Sequence, residues 1–331
     1  MALSKVKGVK ISGVASVLPF HKEDNMQLSN LDTHQKEALI KHTGIRFRHV
    51  VKEKDQSIKI LFEKAINKLL ETLGWDKDSI DILLIVSQTA QSPIPSLACQ
   101  IHGEMDFSSN VLAYDINSGC SGFVYGLHTA SQLLSSLDQE NKRAILCCGD
   151  ISSQLTEESD MAVKPIFSDA VSAIGLEYDG NSESYFNLET FGKGQKAISL
   201  ESNGTGNWMR MDGIDVFNYA MKYVPNNVKM LLNKYSNEEK TPKMYVLHQA
   251  NLLINKSIVK AIGAEESKVP NTLYDYGNTA SASIPITFSL NWDSKKSGWV
   301  LFSGFGVGFS VASALVKIEG IKIAEPEFIN I

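Results

Sequence analysis

The sequence predicts an α/β fold, because strand and helix signals alternate along all 331 residues. Continuous apolar runs at residues 81–86 and 144–148 are typical of strands that are buried on both faces. Between such runs, residues 55–74 carry apolar side chains at helical spacing and end in a glycine. These two kinds of segment indicate layers of helices around buried sheets.

The remaining elements continue this alternation to the end of the chain. The further predicted strands cover residues 9–17, 111–116, 244–247, 299–303 and 310–318. The further predicted helices cover residues 121–137, 216–235, 250–262 and 282–290. The turn-forming sequence Asp-Gly-Asn-Ser-Glu-Ser at residues 179–184 predicts a change between two halves, residues 1–180 and 181–331.

Bulk properties narrow the class of protein. The formal net charge of −5 argues against bulk binding of nucleic acid. No apolar run approaches the ~20 residues of a membrane span, and the first residues lack the apolar core of a secretory signal. Four cysteines are too few for a disulfide framework in a chain of this length. We therefore expect a cytoplasmic protein, without a metal site because neither Cys-x-x-Cys nor His-Glu-x-x-His occurs.

The segment Asn-Ser-Gly-Cys-Ser-Gly-Phe at residues 117–123 places one nucleophile, Cys120, on a tight turn. A predicted strand ends just before it and a predicted helix begins just after it, as in a nucleophile elbow. The partial positive charge of a helix N-terminus favours a thiolate, and its N–H groups can hold an oxyanion. Alternatively, the segment could be only a helix that begins with small residues. The strand–turn–helix arrangement favours the interpretation of Cys120 as a nucleophile.

Three later segments carry further candidate residues. His248 lies in Leu-His-Gln-Ala-Asn between a strand and a helix, where it could face a cleft or simply pack. Asn278 lies among small residues, which could form a site or only a tight turn. The glycines of Gly-Phe-Gly-Val-Gly-Phe at residues 304–309 permit close approach of the backbone to a ligand. A nucleotide loop is not predicted there, because no helix follows.

Together these segments resemble β-ketoacyl-acyl carrier protein synthase III, a family of condensing enzymes with the thiolase fold. The match consists of the Cys elbow, His-Gln-Ala-Asn, Gly-Asn-Thr and the glycine loop, in this order. Further short matches cover residues 43–46, 95–101, 211–217 and 313–316. The resemblance implies a thiolase-like fold of two pseudo-repeated halves, each with a mixed five-stranded sheet, in α-β-α-β-α layers.

The resemblance also implies a reaction. Cys120 would take an acyl group from an acyl-CoA or acyl-carrier thioester, and a malonyl thioester would lose carbon dioxide and attack that group. The product is a β-ketoacyl thioester, for fatty-acid-like or secondary-metabolite biosynthesis, and no cofactor is implied. Catalytic roles fall to Cys120, His248 and Asn278. The backbone N–H groups of Cys120 and Val307 would form the oxyanion hole.

Substrate-binding residues and partners are implied in the same way. The substrate-binding positions are Phe305, Gly306, Asn251, Ile214 and Ile94. In the family, the residue at the position of Ile94 crosses into the acyl pocket of a second subunit, so a homodimer is expected. An acyl carrier protein is the expected macromolecular partner.

The chain departs from the family where free CoA is recognised. The two faces of the family's adenine clamp correspond to Ala38 and Met161, and His42 and Ile214 replace residues along the rest of the CoA path. Leu253 stands where the family has an arginine that contacts the carrier protein. These departures favour a specialised branch that takes its acyl donor from a carrier.

The sequence leaves three alternative functions to weigh. A thiolase-fold acyltransferase could pass the acyl group to a hydroxyl or amine without decarboxylation. A silent subunit of an active partner is disfavoured by the presence of all three catalytic residue types. A cysteine protease also uses Cys, His and Asn in this order, but the surroundings of Cys120 lack the papain-type signature.

Overall fold

The computed structural model of the protein describes residues 2–53, 56–139, 141–202, 204 and 206–331. The strands are β1 Ala2–Pro19, β2 Lys22–Asp24, β3 Phe47–His49, β4 Ile82–Val86, β5 Leu112–Ile116, β6 Arg143–Asp150, β7 Ala170–Thr190, β8 Ile198–Ser202, β9 Asn207–Met211, β10 Pro242–Leu247, β11 Gly298–Gly306, β12 Ser310–Ile318, β13 Lys322–Ile323 and β14 Glu327–Ile329. The α-helices are α1 Thr33–Thr43, α2 Ile58–Leu73, α3 Leu97–Glu104, α4 Gly122–Ser136, α5 Gly213–Tyr235, α6 Leu252–Ile262, α7 Leu273–Tyr276 and α8 Ser283–Asn291.

The long strands β1 and β7 run antiparallel and carry both halves of the fold. Residues 9–17 of β1 pair with residues 171–178 of β7, and residues 2–7 pair with residues 183–188. The register changes between these two stretches, beside Gly8. Gly8 has a φ of +81°, and a Cβ there would lie 2.5 Å from the Tyr178 ring. Only glycine suits that bend, because it tolerates both the positive φ and the close contact.

The main strands pair in two groups of five that share β1 and β7, and the short strands β13 and β14 pair in parallel with β1 in addition. In the first group the order is β5-β4-β6-β7-β1, with β4 parallel to β5 and β6 and the other pairs antiparallel. In the second group the order is β10-β11-β12-β7-β1, with only β10 and β11 parallel. The prediction of two mixed five-stranded sheets is therefore confirmed.

The predicted boundary at residue 180 falls between the two registers of β7. Around it, the Asp179 carboxylate accepts hydrogen bonds from the N–H groups of Asn181 and Ser182, which stabilise a bulge rather than a chain reversal. Residues 2–7, which the prediction assigned to the first half, pair within the second sheet. The assignment of the halves to separate domains stays a prediction.

Helices cover both outer faces and fill the space between the sheets. Helices α2 and α3 pack on the first sheet, and α5 and α6 pack on the second. Helices α4 and α8 lie between the sheets, where Phe302 of β11 meets Phe123 of α4 and Phe288 of α8 edge to face. This order gives the predicted α-β-α-β-α layers. Within the described residues, no helix is both long and apolar enough to cross a membrane.

Local capping explains the differences in helix ends. The helix predicted from residue 55 begins at Ile58, because the Ser57 side chain caps it, and Asp55 itself lies outside the described residues. The helix predicted from residue 250 begins at Leu252, because the Asn251 side chain accepts a hydrogen bond from the N–H of Ile254. Strand β7 and the hairpin of β8 and β9 were not predicted.

Candidate active site

Cys120 lies on the turn between β5 and α4, as the sequence predicts. Helix α4 begins at Gly122, with Ser121 as its N-cap residue, and Cys120 is only 5% exposed. The end of β11 presses against it, because a Cβ on Gly306 would lie 2.8 Å from the Cys120 Cβ and 3.0 Å from its sulfur. A side chain at position 306 would therefore displace the thiol.

Two small cavities flank the Cys120 thiol. One has a volume of about 20 Å³, and the other, which also borders His248 and Asn278, has a volume of about 30 Å³. The second cavity is further lined by Asn251, Phe305 and Gly306, whereas Val307 lines the first. The structure thus brings together residues from distant parts of the chain around a single thiol.

His248 is a neutral imidazole in this site. Its Nδ1 lies 2.7 Å from the Ser283 hydroxyl, and the edge of its ring meets the Phe305 ring with centroids 5.3 Å apart. Burial lowers the pKa of His248 to about 3, although a backbone hydrogen bond at Ala280 acts in the opposite direction. A neutral imidazole can donate one hydrogen bond to a substrate, but it is a weak proton acceptor.

Asn278 is held by its backbone on one side of the second cavity. Its N–H donates to the Ile166 carbonyl, and its own carbonyl accepts from the N–H of Ser168. Its side-chain oxygen accepts from the N–H of Ala280 at 3.0 Å, while its Nδ2 has only a long contact of 3.5 Å to the Ala250 carbonyl. The amide N–H groups therefore keep the capacity to donate to a substrate.

The thiol of Cys120 does not favour the thiolate form, so the prediction from the helix N-terminus is wrong for the free protein. Burial, with a smaller effect of the Asp150 charge, raises the pKa of Cys120 to about 12. Hydrogen bonds from the backbone N–H groups of Cys120 and Val307 act in the opposite direction but are outweighed. Desolvation penalises an anion more strongly than one helix end stabilises it. These two N–H groups are the ones predicted for the oxyanion hole.

Two predicted substrate-binding residues lie away from the cavities of this chain. Ile94 is 83% exposed in the loop before α3, and Ile214 is 75% exposed at the start of α5. Neither lines a cavity beside Cys120. The predicted contact of Ile94 would need a second subunit, and its role stays a prediction. Asn251 lines the second cavity, but its side-chain oxygen is engaged in capping α6.

Sequence reasoning missed two polar residues beside these side chains. Ser283 orients His248, and its only sequence signal was its place at the end of the small-residue run. Asp150 lines the first cavity, and its signal was its position two residues after a predicted buried strand. Among the described residues, no group of His, Cys, Asp or Glu side chains is arranged to hold a metal ion.

The hairpin of β8 and β9 covers both cavities. Ile198 lines both of them, Met209 lines the first and Met211 the second. Among the described residues, these two strands pair with each other and with no other strand. Arg210 ties the hairpin to the loop after β6, through hydrogen-bonded ion pairs with Glu157 at 2.6 Å and Asp160 at 3.2 Å.

Two long segments of the chain match the models of one known family. Residues 114–194 match the family model 3-oxoacyl-[acyl-carrier-protein (ACP)] synthase III, and residues 232–318 match the model of its C-terminal part. A β-ketoacyl-[acyl-carrier-protein] synthase III of Streptococcus thermophilus is 31% identical over 326 residues, covering 93% of this chain and 99% of that protein. The crystal structure of a 3-oxoacyl-(acyl-carrier protein) synthase from Burkholderia xenovorans superposes with a TM-score of 0.93, at 29% identity and 99% coverage of both chains.

The fold and these matches define the protein as a condensing enzyme of the thiolase fold. Within that class, the chain belongs to the 3-oxoacyl-[acyl-carrier-protein] synthase III family. The resemblance stated from the sequence motifs is confirmed.

The ion pairs of Arg210 should limit access to Cys120. Cys120 is only 5% exposed and the cavities beside it have volumes of about 20 and 30 Å³, so we expect movement of the hairpin to help a reagent or thioester reach the sulfur. We expect Arg210→Gln to accelerate alkylation of Cys120 by iodoacetamide about two- to five-fold, the equivalent of one or two half-exposed ion pairs. Peptide mass spectrometry over a time course measures this rate.

The matched control for this experiment is Arg143→Gln. Arg143 is also half-buried and pairs with Glu177 at 3.5 Å, but it lines neither cavity. In the Arg143→Gln variant, Cys120 should be alkylated at the same rate as in the unmodified protein. Equal rates for all three proteins would show that the Arg210 pairs do not restrain the hairpin.

Proposed function

We propose that the protein catalyses the decarboxylative condensation of an acyl group on Cys120 with a malonyl thioester. The observation that carries this proposal is the single buried thiol flanked by a neutral His248 and the amide of Asn278 in one cavity. The family membership supports a condensing reaction, and the distribution of hydrogen-bond donors supports this particular one.

The first half-reaction is transfer of the acyl group to Cys120. Attack of the sulfur on a thioester carbonyl produces a tetrahedral intermediate with a negative oxygen. The backbone N–H groups of Cys120 and Val307, which already act on the sulfur of Cys120, are the donors that we assign to this oxygen. Both belong to backbone in a packed environment, so they need little reorganisation when the charge appears.

The second half-reaction is loss of carbon dioxide from the malonyl thioester. Negative charge then develops on the thioester carbonyl, to which we assign hydrogen bonds from the His248 ring and from the Asn278 side-chain amide. His248 suits this role because its low pKa keeps it neutral, so it donates a hydrogen bond without taking up the proton of a neighbour. Phe305, which packs on His248, would present an apolar wall to the carboxylate that is lost.

We infer that the acyl donor is carried by an acyl carrier protein. A shallow groove of about 270 Å³ runs between α1 and α6 and is lined by Lys41, His42, Lys256 and Lys260 beside the exposed Leu253. Basic side chains around an apolar residue suit an acidic carrier helix. The clamp positions Ala38 and Met161 offer no aromatic platform for an adenine base, whose stacking is worth roughly 1–3 kcal/mol.

A homodimer and a cytoplasmic location remain part of this proposal. Ile94, in the loop before α3, and Leu112, the first residue of β5, are exposed apolar residues of the first half. Their burial against a second copy would follow the isologous arrangement that is common among homo-oligomers. A monomer in sedimentation at micromolar concentration would contradict the dimer.

The roles of His248 and Asn278 can be separated from that of Cys120. Cys120→Ala should abolish both half-reactions. His248→Ala and Asn278→Ala should each slow condensation by about 10²–10³-fold, while acylation of Cys120 changes little, because their donors act on the malonyl carbonyl. Single-turnover acylation followed by intact-protein mass spectrometry measures the first step, and formation of β-ketoacyl product measures the second.

The control is Cys99→Ala, which removes an exposed free cysteine outside both cavities and should affect neither step. Equal losses in both half-reactions for His248→Ala would contradict the proposed division. Acylation followed by transfer to an alcohol or amine, without loss of carbon dioxide, would establish the alternative acyltransferase.

The basic groove leads to a test of the carrier. The double variant Lys256→Glu and Lys260→Glu should lower kcat/KM for an acyl-carrier donor about ten-fold or more, because rim charges steer association, and should leave acylation by the same acyl group on CoA nearly unchanged. The control is Lys64→Glu. Lys64 is exposed on α2, in the outer helical layer of the first sheet, whereas α6 lies in that of the second sheet. If CoA proves the better donor with the unmodified protein, the carrier proposal is wrong.

A further inference from the structure

Asp150 is a buried carboxyl group beside Cys120 that has no part in the steps described above. It is the last residue of β6, is only 3% exposed and lines the first cavity together with Cys120. None of the ion pairs in the described part of the chain includes it. A carboxyl group that is buried without a cationic partner is costly, so its position calls for an explanation.

The two oxygens of Asp150 are bonded very differently. Oδ1 accepts hydrogen bonds from the N–H of Gln88 at 2.6 Å and from the hydroxyls of Ser87 at 3.1 Å and Thr89 at 3.2 Å. Oδ2 has one long contact, 3.5 Å to the Ser281 hydroxyl. The carboxyl group is therefore anchored through one oxygen, and the other keeps most of its capacity as an acceptor.

Acylation of Cys120 requires such an acceptor. The Cys120 thiol is protonated at neutral pH, because burial raises its pKa to about 12. His248 is a poor proton acceptor, because burial lowers its pKa to about 3 and its Nδ1 is engaged with Ser283. Burial raises the pKa of Asp150 to about 7, against the effect of its hydrogen bonds. A group that titrates near the working pH is well suited to general-base catalysis.

We propose that Asp150 accepts the proton of the Cys120 thiol during acylation, through one water molecule in the cavity that the two side chains line. This inference rests on the proposed function. A volume of about 20 Å³ is enough for a single water, which needs about 10–15 Å³ by the same measure. The groups of this cavity that can bind the water are the Cys120 thiol, the Asp150 carboxyl and the hydroxyls of Thr89 and Ser152.

The proton and electron balance of this step is complete within the site. The Cys120 S–H bond breaks, and its proton passes through the water to Asp150. The electron pair left on the sulfur forms the new bond to the carbonyl carbon of the thioester. Collapse of the tetrahedral intermediate breaks the C–S bond of the donor. The departing thiolate takes the proton back from Asp150, so no other reactant is consumed.

The other groups around Asp150 do not compete with it as the proton acceptor. The titratable groups that feel its charge are the thiols of Cys120 and Cys148, and both have raised pKa values, chiefly because they are buried. The residues that face it from the loop after β4 and from the turn before α8, including Ser281, are uncharged. Asp150 is therefore the group of this cluster expected to titrate near neutral pH.

The test is the variant Asp150→Asn. The amide oxygen can keep the three donors of Oδ1, and the amide nitrogen can donate to Ser281, so the shape of the site is preserved while the base is lost. We expect single-turnover acylation of Cys120 at neutral pH to slow by about 10²-fold or more. The rise of the acylation rate between roughly pH 6 and 8, which the unmodified protein should show, should also disappear.

Charge alone would produce the opposite result. The negative charge of Asp150 raises the pKa of Cys120, so its removal without loss of a base should make the thiol more acidic and acylation faster. Acylation that is unchanged or faster in Asp150→Asn would therefore overturn the proposal. So would an unmodified protein whose acylation rate rises only above about pH 9, a measurement that does not depend on the folding of any variant.

The matched control is Asp169→Asn. Asp169 is a second buried carboxyl, bonded to the N–H groups of Val51 and Ser153, with a pKa that burial raises to about 6, but it lines neither cavity. The Asp169→Asn variant should leave the pH profile of Cys120 acylation unchanged even if its melting temperature falls. An equal loss in both variants would show a merely structural role. Failure of the proposed function would instead appear as an unmodified protein that condenses no malonyl thioester.

Discussion

The antiparallel pairing of β1 with β7 is the constraint on which the rest of the structure depends. Each strand passes from one five-stranded sheet into the other, with the change of register at Gly8. This pairing fixes how the two sheets face each other across α4 and α8. As a result, the turn before α4 meets the end of β11, and Gly306 lies against Cys120. The candidate site exists only where these two parts of the chain meet.

Burial at this meeting point determines the charges in the site. It raises the pKa of the Cys120 thiol, lowers that of His248 and raises that of Asp150, so the first two are neutral and the third titrates near neutral pH. In a site of this kind the nucleophile and the imidazole are both uncharged when the thioester binds, and charge develops on the thioester oxygens only during the reaction. The hydrogen-bond donors then act on oxygens that become negative in the two half-reactions, where they contribute most.

The sequence was sufficient for the elements whose signal is local. Strand β12 has the predicted bounds, and α4 differs from its prediction by one residue at each end, because a continuous apolar run and a helical stripe are both properties of neighbouring residues. Strand β7 was missed because Asp-Gly-Asn-Ser reads as a turn, although here it forms a bulge that pairing with β1 holds within a strand. Turn chemistry cannot reveal a strand that a distant segment supplies.

In the candidate site too, the features set by neighbouring residues were predictable and those set by distant packing were not. The motifs around Cys120, His248 and Asn278 identified side chains that the fold brings around one cavity. The acidity of Cys120 was predicted with the wrong sign, because the helix end is a local feature whereas desolvation depends on the packing of β11 and the β8–β9 hairpin over the sulfur. Asp150 was missed because a single carboxyl after a strand gains significance only from what lies beside it.

If acyl groups on Cys120 react by decarboxylative condensation, the release of carbon dioxide must match the formation of product. The protein is first acylated and freed of donor, and then mixed with a malonyl thioester labelled in its free carboxylate. We expect one labelled carbon dioxide to be released for each β-ketoacyl thioester formed and for each acyl group lost from Cys120. Loss of the acyl group without labelled carbon dioxide, or release of carbon dioxide that Cys120→Ala leaves undiminished, would contradict it.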